Sequence, residues 1–393
     1  MIEQRNDGAK ERVRSWAGDI EENTMQQALR SARCDAVSGP VALMPDAHWG
    51  MGATVGSVIP TEAAIIPAAV GVDIGCGMIA VETDLTASML PDSLDSILGG
   101  IQKAIPAGFD RHQQPTRPAW RWLEHHQLDT PIDLTDKQKR TVGQQLGTLG
   151  GGNHFVEVCL DEDDQVWCVL HSGSRGVGNV LAQAHIRMAR QLCQDMERAL
   201  EDRDLAYFLN SDPGFSAYID DMLWAQDYAL QNREQMMDAL LGVLRLTTGR
   251  PVREQWRINC HHNYTERESH DGRDLWITRK GAIRARVGDW GVIPGSMGTS
   301  TYVVSGLGNP LSYHSASHGA GRRYGRKAAK RTFTVDQFKA SMEGRTWQRS
   351  QAAKLLDESP MAYKDIGEVM ANQADLVRIE HRLEAVVNYK GVS

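Results

Sequence analysis

Short apolar runs bounded by glycine-rich stretches recur along the chain. Residues 40–83 contain PVALM, TVGSVIP and MIAVET, separated by PDAHWGMGAT and GVDIGCG. Two more such runs, HFVEVCL and QVWCVLHSG, are joined by an acidic turn, and residues 258–308 again form short runs between glycines. Runs of this length between turn residues are typical of strands, so these segments predict β-sheet structure.

Other parts of the chain have the period of an α-helix. Across residues 180–250, apolar and aromatic residues recur at helical spacing until Gly249 and Pro251 end the pattern. An apolar stripe predicts a C-terminal helix in residues 365–391, ending at Lys390. Residues 106–142 are polar, rich in Pro and Gln and weakly patterned, which is typical of a variable insertion.

The order of these elements predicts the fold class. Helices and strands come in blocks rather than in strict alternation, which favours an α+β fold with mixed β-sheets surrounded by helices over a doubly wound sheet. No linker divides the chain, so we expect residues 1–393 to form one large domain.

Composition favours a cytoplasmic globular protein. The chain has 393 residues, 41% hydrophobic and 24% charged, which excludes a disordered or fibrous chain. The N-terminus is polar and the longest apolar stretch, residues 63–72, is broken by Pro67, so we expect neither a signal peptide nor a membrane span. The six cysteines include no C-x-x-C pair, and in a cytosolic chain we expect no disulfide to be needed.

The formal charge of −7 conceals a strong segregation of charge. Residues 279–331 contain ten Lys and Arg residues against one acidic residue, Asp289, a net charge of +9. A solvated basic helix would account for part of this run. The segregation also favours a surface that faces a polyanion such as a nucleic acid.

Metal-binding side chains stand beside glycines, which let the backbone approach a ligand closely, in five segments. These segments are GVDIGCG (71–77), GGGNHF (150–155), HSGSRG (171–176), NCHHNY (259–264) and SHGAGR (317–322). Asp73 and Cys76 share the first, and a thiolate with a carboxylate suits Mn²⁺ or Zn²⁺ better than Mg²⁺ or Ca²⁺. For this pair alone, a turn Asp beside an inert buried Cys remains the alternative.

Three histidines extend this set of donors. His154 precedes one strand and His171 ends the next, so a hairpin can bring them together, and His262 stands in a His-His-Asn run. Each histidine alone is more often a packing or surface residue than a ligand. Together with Asp73 and Cys76 they make five donors, enough for two ions if Cys76 bridges them.

Two further segments carry candidate phosphate chemistry. His318 differs from the other histidines because Arg322 and a basic run follow it. The stretch IPGSMG (293–298) resembles a phosphate or nucleotide loop but lacks the spacing of the common phosphate-binding motifs.

Taken together, these segments match the ordered motifs of a known protein family. The following motifs occur in this order and cover nearly the whole chain: MPDAHWGMGATVGSVIPT, IIPAAVGVDIGCGM, LGTLGGGNHFVEV, LHSGSRGVGN, CHHNY, RKGAI, IPGSMG, SHGAGR and the terminal Tyr-Lys-Gly. They resemble the RtcB family of RNA ligases. The resemblance implies one α+β catalytic domain that uses GTP and Mn²⁺. Such an enzyme joins RNA ends bearing a 3′-phosphate or a 2′,3′-cyclic phosphate to 5′-hydroxyl ends, in RNA repair or tRNA splicing.

The same resemblance implies a role for each metal-binding residue. Asp73, Cys76 and His154 would hold one Mn²⁺, and Cys76, His171 and His262 would hold the second. Cys76 would then be the bridge between the two ions.

The resemblance also implies a nucleotide site. His318 would be the nucleophile that takes GMP, a role that suits a neutral imidazole at phosphorus. GTP contacts would fall on Asn153, His154, Phe155, Val156, Glu157, His262, Asn263, Pro294, Gly295, Ser296, Met297, Thr301, His318, Gly319, Ala320, Gly321 and Lys390. Thr301 stands where the family has a serine, which keeps a hydroxyl but loosens one contact.

Two other functions remain open at this level. The same five donors would serve a dinuclear phosphodiesterase or cyclic-phosphate hydrolase that ignores GTP, and the basic segment would serve a non-enzymatic RNA-binding protein with a structural metal. For Asp46 and His48, bracing of the metal loop is a stronger expectation than RNA contact, because buried Asp–His pairs usually fix loops. The sequence leaves the natural RNA and the oligomeric state open.

Overall fold

Two mixed β-sheets organise the chain in the computed structural model, which describes residues 3–5 and 13–392. The strands are β1 (Glu3–Arg5), β2 (Val13–Ser15), β3 (Val41–His48), β4 (Val55–Thr61), β5 (Ala64–Ile65), β6 (Gly77–Thr86), β7 (Phe155–Leu160), β8 (Gln165–Ser172), β9 (Phe208–Leu209), β10 (Glu254–His261), β11 (Asn263–His270), β12 (Arg273–Lys280), β13 (Ala282–Arg284), β14 (Trp290–Pro294), β15 (Thr301–Gly306), β16 (Ser315–Ser317), β17 (Thr346–Trp347) and β18 (Val377–Lys390).

The helices lie around these sheets. They are α1 (Glu22–Arg33), α2 (Pro67–Val70), α3 (Asp95–Ala104), α4 (Arg117–His125), α5 (Asp136–Gln145), α6 (Arg175–Asp195), α7 (Phe215–Thr248), α8 (Arg326–Thr332), α9 (Val335–Ser341) and α10 (Ile366–Ala371). The predicted α+β class with mixed sheets is confirmed. Within the described ranges, no helix combines the length and apolar character that a membrane span needs.

One sheet has the strand order β1-β2-β3-β4-β12-β11 and the other the order β10-β6-β8-β7-β18-β15-β14, with β17 paired to β18. Most neighbours are antiparallel, but β2 pairs with β3 and β17 with β18 in parallel. The chain leaves the second sheet at His261, the last residue of β10, and enters the first at Asn263. His262 therefore stands where the two sheets are joined.

The longest helix, α7, supports the second sheet from behind. Its ends lie at Gly214 and Gly249, whose positive φ angles of 97° and 64° are readily adopted by glycine. Between them one face of the helix is buried, and its distal half packs with α3 and β6 in one apolar cluster. The predicted end of the helical segment at Gly249 is confirmed, although residues 196–214 divide that segment into α6 and α7.

The prediction of a helix over residues 365–391 is wrong for most of its length. Only Ile366–Ala371 is helical, and Val377–Lys390 is the long strand β18 between β7 and β15. Apolar residues alternate along β18 with a period of two, which matches a sheet better than a helix.

Residues 106–142 are more regular than their composition suggests. They contain α4 and most of α5, and each helix begins with a threonine cap. The capping box of Thr135 with Gln138 is a sequence signal for a helix start that the weak apolar pattern hid.

Candidate active site

A cavity of about 270 Å³ lies where strand ends from both sheets converge. Its lining is mainly polar side chains and glycine-rich turns. These residues are His48, Val55, Asp73, Cys76, Asn153, Phe155, Glu157, His171, His262, Asn263, Lys280, Pro294, Gly295, Ser296, Met297, Thr301, His318, Gly319, Ala320, Gly321, Arg322, Arg326, Tyr363 and Lys390. Residues far apart in sequence thus face one space, and nearly all those predicted for metal and nucleotide are among them.

All five predicted metal donors come together. Asp73, Cys76 and His154 form one group of mutually close donor atoms, and Cys76, His171 and His262 form another, so that Cys76 belongs to both. Cys76 Sγ lies 3.4 Å from His154 Nε2 and 3.1 Å from His171 Nε2. His171 Nε2 lies 3.1 Å from His262 Nε2, and His154 Nε2 lies 3.0 Å from Asp73 Oδ2.

Backbone carbonyls orient two of the imidazoles. His154 Nδ1 donates to Leu149 O at 2.9 Å, and His171 Nδ1 donates to Asn153 O at 3.2 Å, so that both Nε2 atoms face the cluster. Such outer hydrogen bonds fix the tautomer in which Nε2 is the free ligand atom.

Burial favours neutral rings in this cluster. It lowers the pKa of His171 and of His262 well below the ordinary range, and the neighbouring histidines lower both further. Burial also raises the pKa of the Cys76 thiol, as does the Asp73 charge, in the absence of a bound cation. A thiol in this setting becomes a thiolate when a metal binds it.

Arg233, fully buried on α7, ties the ligand-bearing segments together. Its Nη1 donates to Gly75 O at 2.8 Å and to Ser172 O at 3.1 Å, while its Nε donates to Asn259 Oδ1 at 2.7 Å. In sequence, Gly75 adjoins Cys76 and Ser172 adjoins His171. Asn259 lies three residues before His262. The guanidinium therefore positions the ligand loops from behind.

His318 stands beside the metal donors. Its ring centroid lies 4.8 Å from that of His262, and its Nδ1 lies 2.6 Å from Oδ2 of the fully buried Asp46. The same oxygen accepts the backbone N–H groups of His318 and Gly319 at 3.3 Å. The contact between Nδ1 and Oδ2 is short but is not aligned as a well-directed hydrogen bond. Asp46 therefore braces His318, not the metal loop that the sequence favoured.

The predicted guanylate loop closes one side of the cavity. Strands β14 and β15 pair from Trp290 with Ser305 to Pro294 with Thr301, and the turn between them is held by Thr299, whose Oγ1 accepts the Ser296 N–H at 2.7 Å. Ala320 N donates to Pro294 O at 3.0 Å, which ties this turn to the segment after His318.

Strand β7 carries residues predicted to contact GTP, at the cavity floor. Phe155 and Glu157 face the cavity, whereas Val156 points into the apolar core on the other side, as strand alternation requires. Burial raises the pKa of Glu157 to about 8, and Lys390 and the Asn388 side chain oppose that shift only in part. His154 belongs to the metal group rather than to the cavity wall.

Lys390 is held by an acceptor that the sequence did not reveal. Its Nζ lies 2.6 Å from Oε2 of the buried Glu358 and donates to Asn153 O at 3.3 Å. Glu358 also accepts from the Tyr363 hydroxyl at 2.7 Å, and it pairs with Arg322 and Arg326. Burial raises the pKa of Glu358, but these cations more than offset it and hold the pKa below its ordinary value.

Several lining residues went unrecognised in the sequence. Lys280 and Arg322 stood in the motifs RKGAI and SHGAGR without a role of their own, while Arg326 was counted only as part of a basic run. Tyr363 and Val55 carried no chemical signal of their own. Burial lowers the pKa of Lys280 to about 8, and its Nζ donates to Met51 O and Ala68 O.

The basic segment is largely neutralised within the fold. Six of its ten cations form ion pairs: Arg279, Arg284, Arg286, Arg322, Arg326 and Lys330. Most of their acidic partners, such as Asp357 and Glu358, lie outside the segment. Arg323, Lys327 and Arg331 are exposed and form no ion pair among the described residues.

A second His–Glu group lies away from the cavity. Glu268, His270 and His314 place donor atoms close together. Arg279 and Arg286 already pair with Glu268, at 2.5 and 2.9 Å. Two guanidinium groups on the only carboxylate of this group disfavour a bound cation.

Comparison with known proteins agrees with the motifs. The family model described as "tRNA-splicing ligase RtcB" matches residues 27–391. RNA-splicing ligase RtcB of Escherichia coli K12 is 44% identical over 96% of this chain and 97% of its own length. RNA-splicing ligase RtcB of Mycobacterium bovis is 30% identical over 88% and 96%, and tRNA-splicing ligase RtcB of Pyrobaculum aerophilum is 26% identical over 88% and 86%.

Proposed function

The chain belongs to the RtcB family of RNA-splicing ligases, and from this premise we propose that it is a GTP- and Mn²⁺-dependent ligase. It joins RNA ends bearing a 3′-phosphate or a 2′,3′-cyclic phosphate to 5′-hydroxyl ends. The observation that carries the proposal is the placement of His318, braced by Asp46, beside a double group of metal donors in one cavity. Residues 1–393 act as one catalytic domain.

The donor set fits two cations. Two groups of donors share the Cys76 sulfur, and carbonyls orient two of the imidazoles toward the cluster. Asp73, Cys76 and His154 would hold one Mn²⁺, and Cys76, His171 and His262 would hold the other. When bound, the cations neutralise charge on the transferring phosphate and activate the attacking oxygen.

His318 is the nucleophile. Because Asp46 lies against Nδ1, the lone pair for attack is on Nε2. Nε2 forms a bond to the α-phosphorus of GTP, the bond from that phosphorus to the bridging oxygen breaks, and pyrophosphate leaves with the electron pair. Asp46 stabilises the positive charge that develops on the ring, as a buried carboxylate does for other catalytic imidazoles.

The cavity wall binds the guanylate. Lys390 and Glu157 offer a cation and a carboxyl group at the floor, and the turn from Pro294 to Met297 closes the side. The backbone from His318 to Gly321 and the hydroxyl of Thr301 complete the contacts. Their partly buried setting strengthens each polar contact relative to water.

The RNA steps follow from the same positions. An oxygen of the RNA 3′-phosphate attacks the phosphorus of the histidine-bound guanylate, and the P–N bond breaks to give RNA-ppG. The 5′-hydroxyl then attacks the RNA 3′-phosphorus, the phosphodiester forms, and GMP leaves. A 2′,3′-cyclic phosphate is opened by water to the 3′-phosphate before these steps.

Incubation with α-labelled GTP and Mn²⁺, without RNA, tests the first step. We expect an acid-labile, alkali-stable label on the wild-type protein and none on His318→Ala. Chasing the labelled protein with RNA pairs that differ only in their end groups should give joined product only from 3′-phosphate or cyclic-phosphate ends with a 5′-hydroxyl. Absence of label on the wild-type protein would refute the proposal.

Metal identity needs a separate measurement, because Zn²⁺ binds Cys and His donors more tightly than Mn²⁺ does. We expect metal-depleted protein to recover labelling with Mn²⁺. Full activity with Zn²⁺ alone would contradict the assignment of Mn²⁺.

A further inference from the structure

Four histidines, here called the histidine row, lie in the site with each ring next to the following one. The ring centroids of His154 and His171 lie 5.1 Å apart, those of His171 and His262 4.8 Å, and those of His262 and His318 4.8 Å. Under the proposed function, the reacting phosphate lies between the metal donors and His318. An RNA junction held there must continue beyond both ends.

At the His318 end, an anchored loop exposes a large aromatic side chain. Trp49 is 56% exposed and directly follows His48, which lines the cavity. Gly50 on its other side is fixed by both amide atoms of Gln27, and Lys280 Nζ donates to Met51 O. The backbone of the loop is thus held in place while its indole faces solvent.

A similar arrangement stands at the His154 end. The carbonyl of Leu149 holds the His154 ring, and Gly150 O accepts the Gly108 N–H at 2.7 Å. Gly108 O accepts from Arg175 at 3.1 Å. The next residue, Phe109, is 86% exposed. An anchored backbone again presents an aromatic ring to solvent beside the site.

An exposed arginine lies two residues from Phe109 in sequence, and another lies near Lys364, which contacts the segment before Trp49. Arg111 follows Phe109 by two residues and forms no ion pair within the described ranges. Arg323, likewise unpaired, is close enough to Lys364 to lower its pKa, after the larger effect of burial, and Lys364 Nζ donates to Ala47 O near Trp49. An aromatic face with a free guanidinium suits a base and its phosphate.

We infer that Trp49 and Phe109 are stacking platforms for the two bases that flank the RNA junction, one platform at each end of the histidine row. The inference rests on the proposed ligase function and adds base contacts to it. Stacking tolerates every base, so these platforms hold the two ends in place without reading sequence.

Ligation of RNA pairs that lack single bases tests this arrangement. One pair has an abasic site at the last nucleotide of the 3′-phosphate strand, and another has it at the first nucleotide of the 5′-hydroxyl strand. For the wild type we expect kcat/KM to fall at least about 5-fold with either abasic RNA, the range for loss of one stacked base. On intact RNA, kcat/KM should fall by a similar factor in Trp49→Ala and in Phe109→Ala. Trp49→Ala should also become insensitive to one of the two abasic sites, and Phe109→Ala should become insensitive to the other.

Matched variants separate stacking from general surface effects. Trp120→Ala and Leu246→Ala remove apolar side chains that are 56% and 85% exposed and do not line the cavity, so they should behave as the wild type. Trp49→Phe and Phe109→Trp should retain the abasic sensitivity. Labelling by GTP, which needs no RNA, reports whether each variant is folded.

The outcomes are distinct. If the wild type ligates no RNA, the proposed function fails. If it ligates but either alanine variant keeps the full penalty of both abasic sites, or matches the control variants on intact RNA, the two-ended arrangement is overturned and the ligase function stands.

Discussion

Oδ2 of Asp46 lies 2.6 Å from Nδ1 of His318, although the two residues are 272 positions apart in sequence. The carboxylate is fully buried and also accepts the backbone N–H groups of His318 and Gly319, so its position is fixed by the turn it braces. One carboxylate therefore sets both the backbone and the ring orientation of the proposed nucleophile.

Asp46→Asn should slow labelling by GTP about 100-fold or more, because the amide has no charge to stabilise the developing imidazolium. Single-turnover labelling over a range of GTP concentrations checks this, with thermal melting to confirm folding. A fall in GTP affinity at an unchanged maximal rate would contradict a role for Asp46 in the chemical step.

Gly281→Ala should displace the His318 ring. A Cβ at Gly281 would lie 2.9 Å from His318 Cε1 and 2.5 Å from Val55 Cγ1, and φ there is +63°. Gly272→Ala is the matched control, because its φ is +75° but no atom lies within 4 Å of the added Cβ. We expect the labelling rate to fall about 10-fold or more in Gly281→Ala relative to Gly272→Ala, on the scale of misplaced catalytic groups. Equal rates would show that the ring tolerates the added methyl group.

Cys76→Ala removes the donor that both groups share. Under the proposed function, bound metal should therefore fall from two ions per chain toward none. Elemental analysis of the purified variant, beside labelling with added Mn²⁺, measures this. Cys34→Ala, away from the cavity, should keep the wild-type metal content. Two ions retained in Cys76→Ala would exclude the bridge.

Glu157→Gln should alter how stability depends on pH in metal-free protein. Burial raises the pKa of Glu157 to about 8, against about 4.3 in an unfolded chain. The folded state therefore binds the extra proton between these values, and the wild type loses stability from this group as pH rises through that window. The neutral amide carries no such cost, so the stability of Glu157→Gln relative to wild type should increase with pH by on the order of 1 kcal/mol per unit.

Urea unfolding at pH 5, 6, 7 and 8 measures that difference. The exposed Glu124→Gln should run parallel to the wild type at every pH. A difference between Glu157→Gln and wild type that stays constant with pH would mean that Glu157 is ionised in the folded protein.

Glu358→Gln should weaken both the fold and the binding of GTP. The carboxylate is 2% exposed and pairs with Lys390, Arg322 and Arg326, so its removal leaves the buried Lys390 without its counter-charge. Loss of one partner of a buried ion pair typically costs about 3–5 kcal/mol. Urea unfolding and the KM for GTP in the labelling step measure the two effects, with the exposed Glu343→Gln as control. An unchanged KM for GTP would assign Glu358 to stability alone.

The sequence predicted which candidate metal donors would come together because they stand in glycine-bounded motifs. Asp73 and Cys76 share one turn, and the hairpin of β7 and β8 brings His154 to His171. Asp46 was recognised as a bracing residue, but its partner was not, since local motifs do not tell which distant turn packs against them.

Elements without chemical residues were harder to predict. In β18, Val377, Leu383 and Val387 fit an apolar helix stripe as well as a strand, and only pairing with β7 and β15 decides between them. Glu358 and Tyr363 lie in a stretch of short 3₁₀ turns with no regular period. Their roles come from tertiary contacts with Lys390 and Arg322.

Because most cations of the basic segment form ion pairs within the protein, the segment affects how intact RNA competes with broken RNA for binding. Only Arg323, Lys327 and Arg331 of its ten cations are exposed without an ion pair among the described residues. About three phosphate contacts from this segment would release few counterions, so its contribution to the binding of single strands would fall only about 20-fold between 50 and 200 mM salt. Intact cellular RNA, which offers many phosphates but no matching ends, would then gain little affinity from this segment. The enzyme could then find broken strands without this segment binding it to every intact transcript.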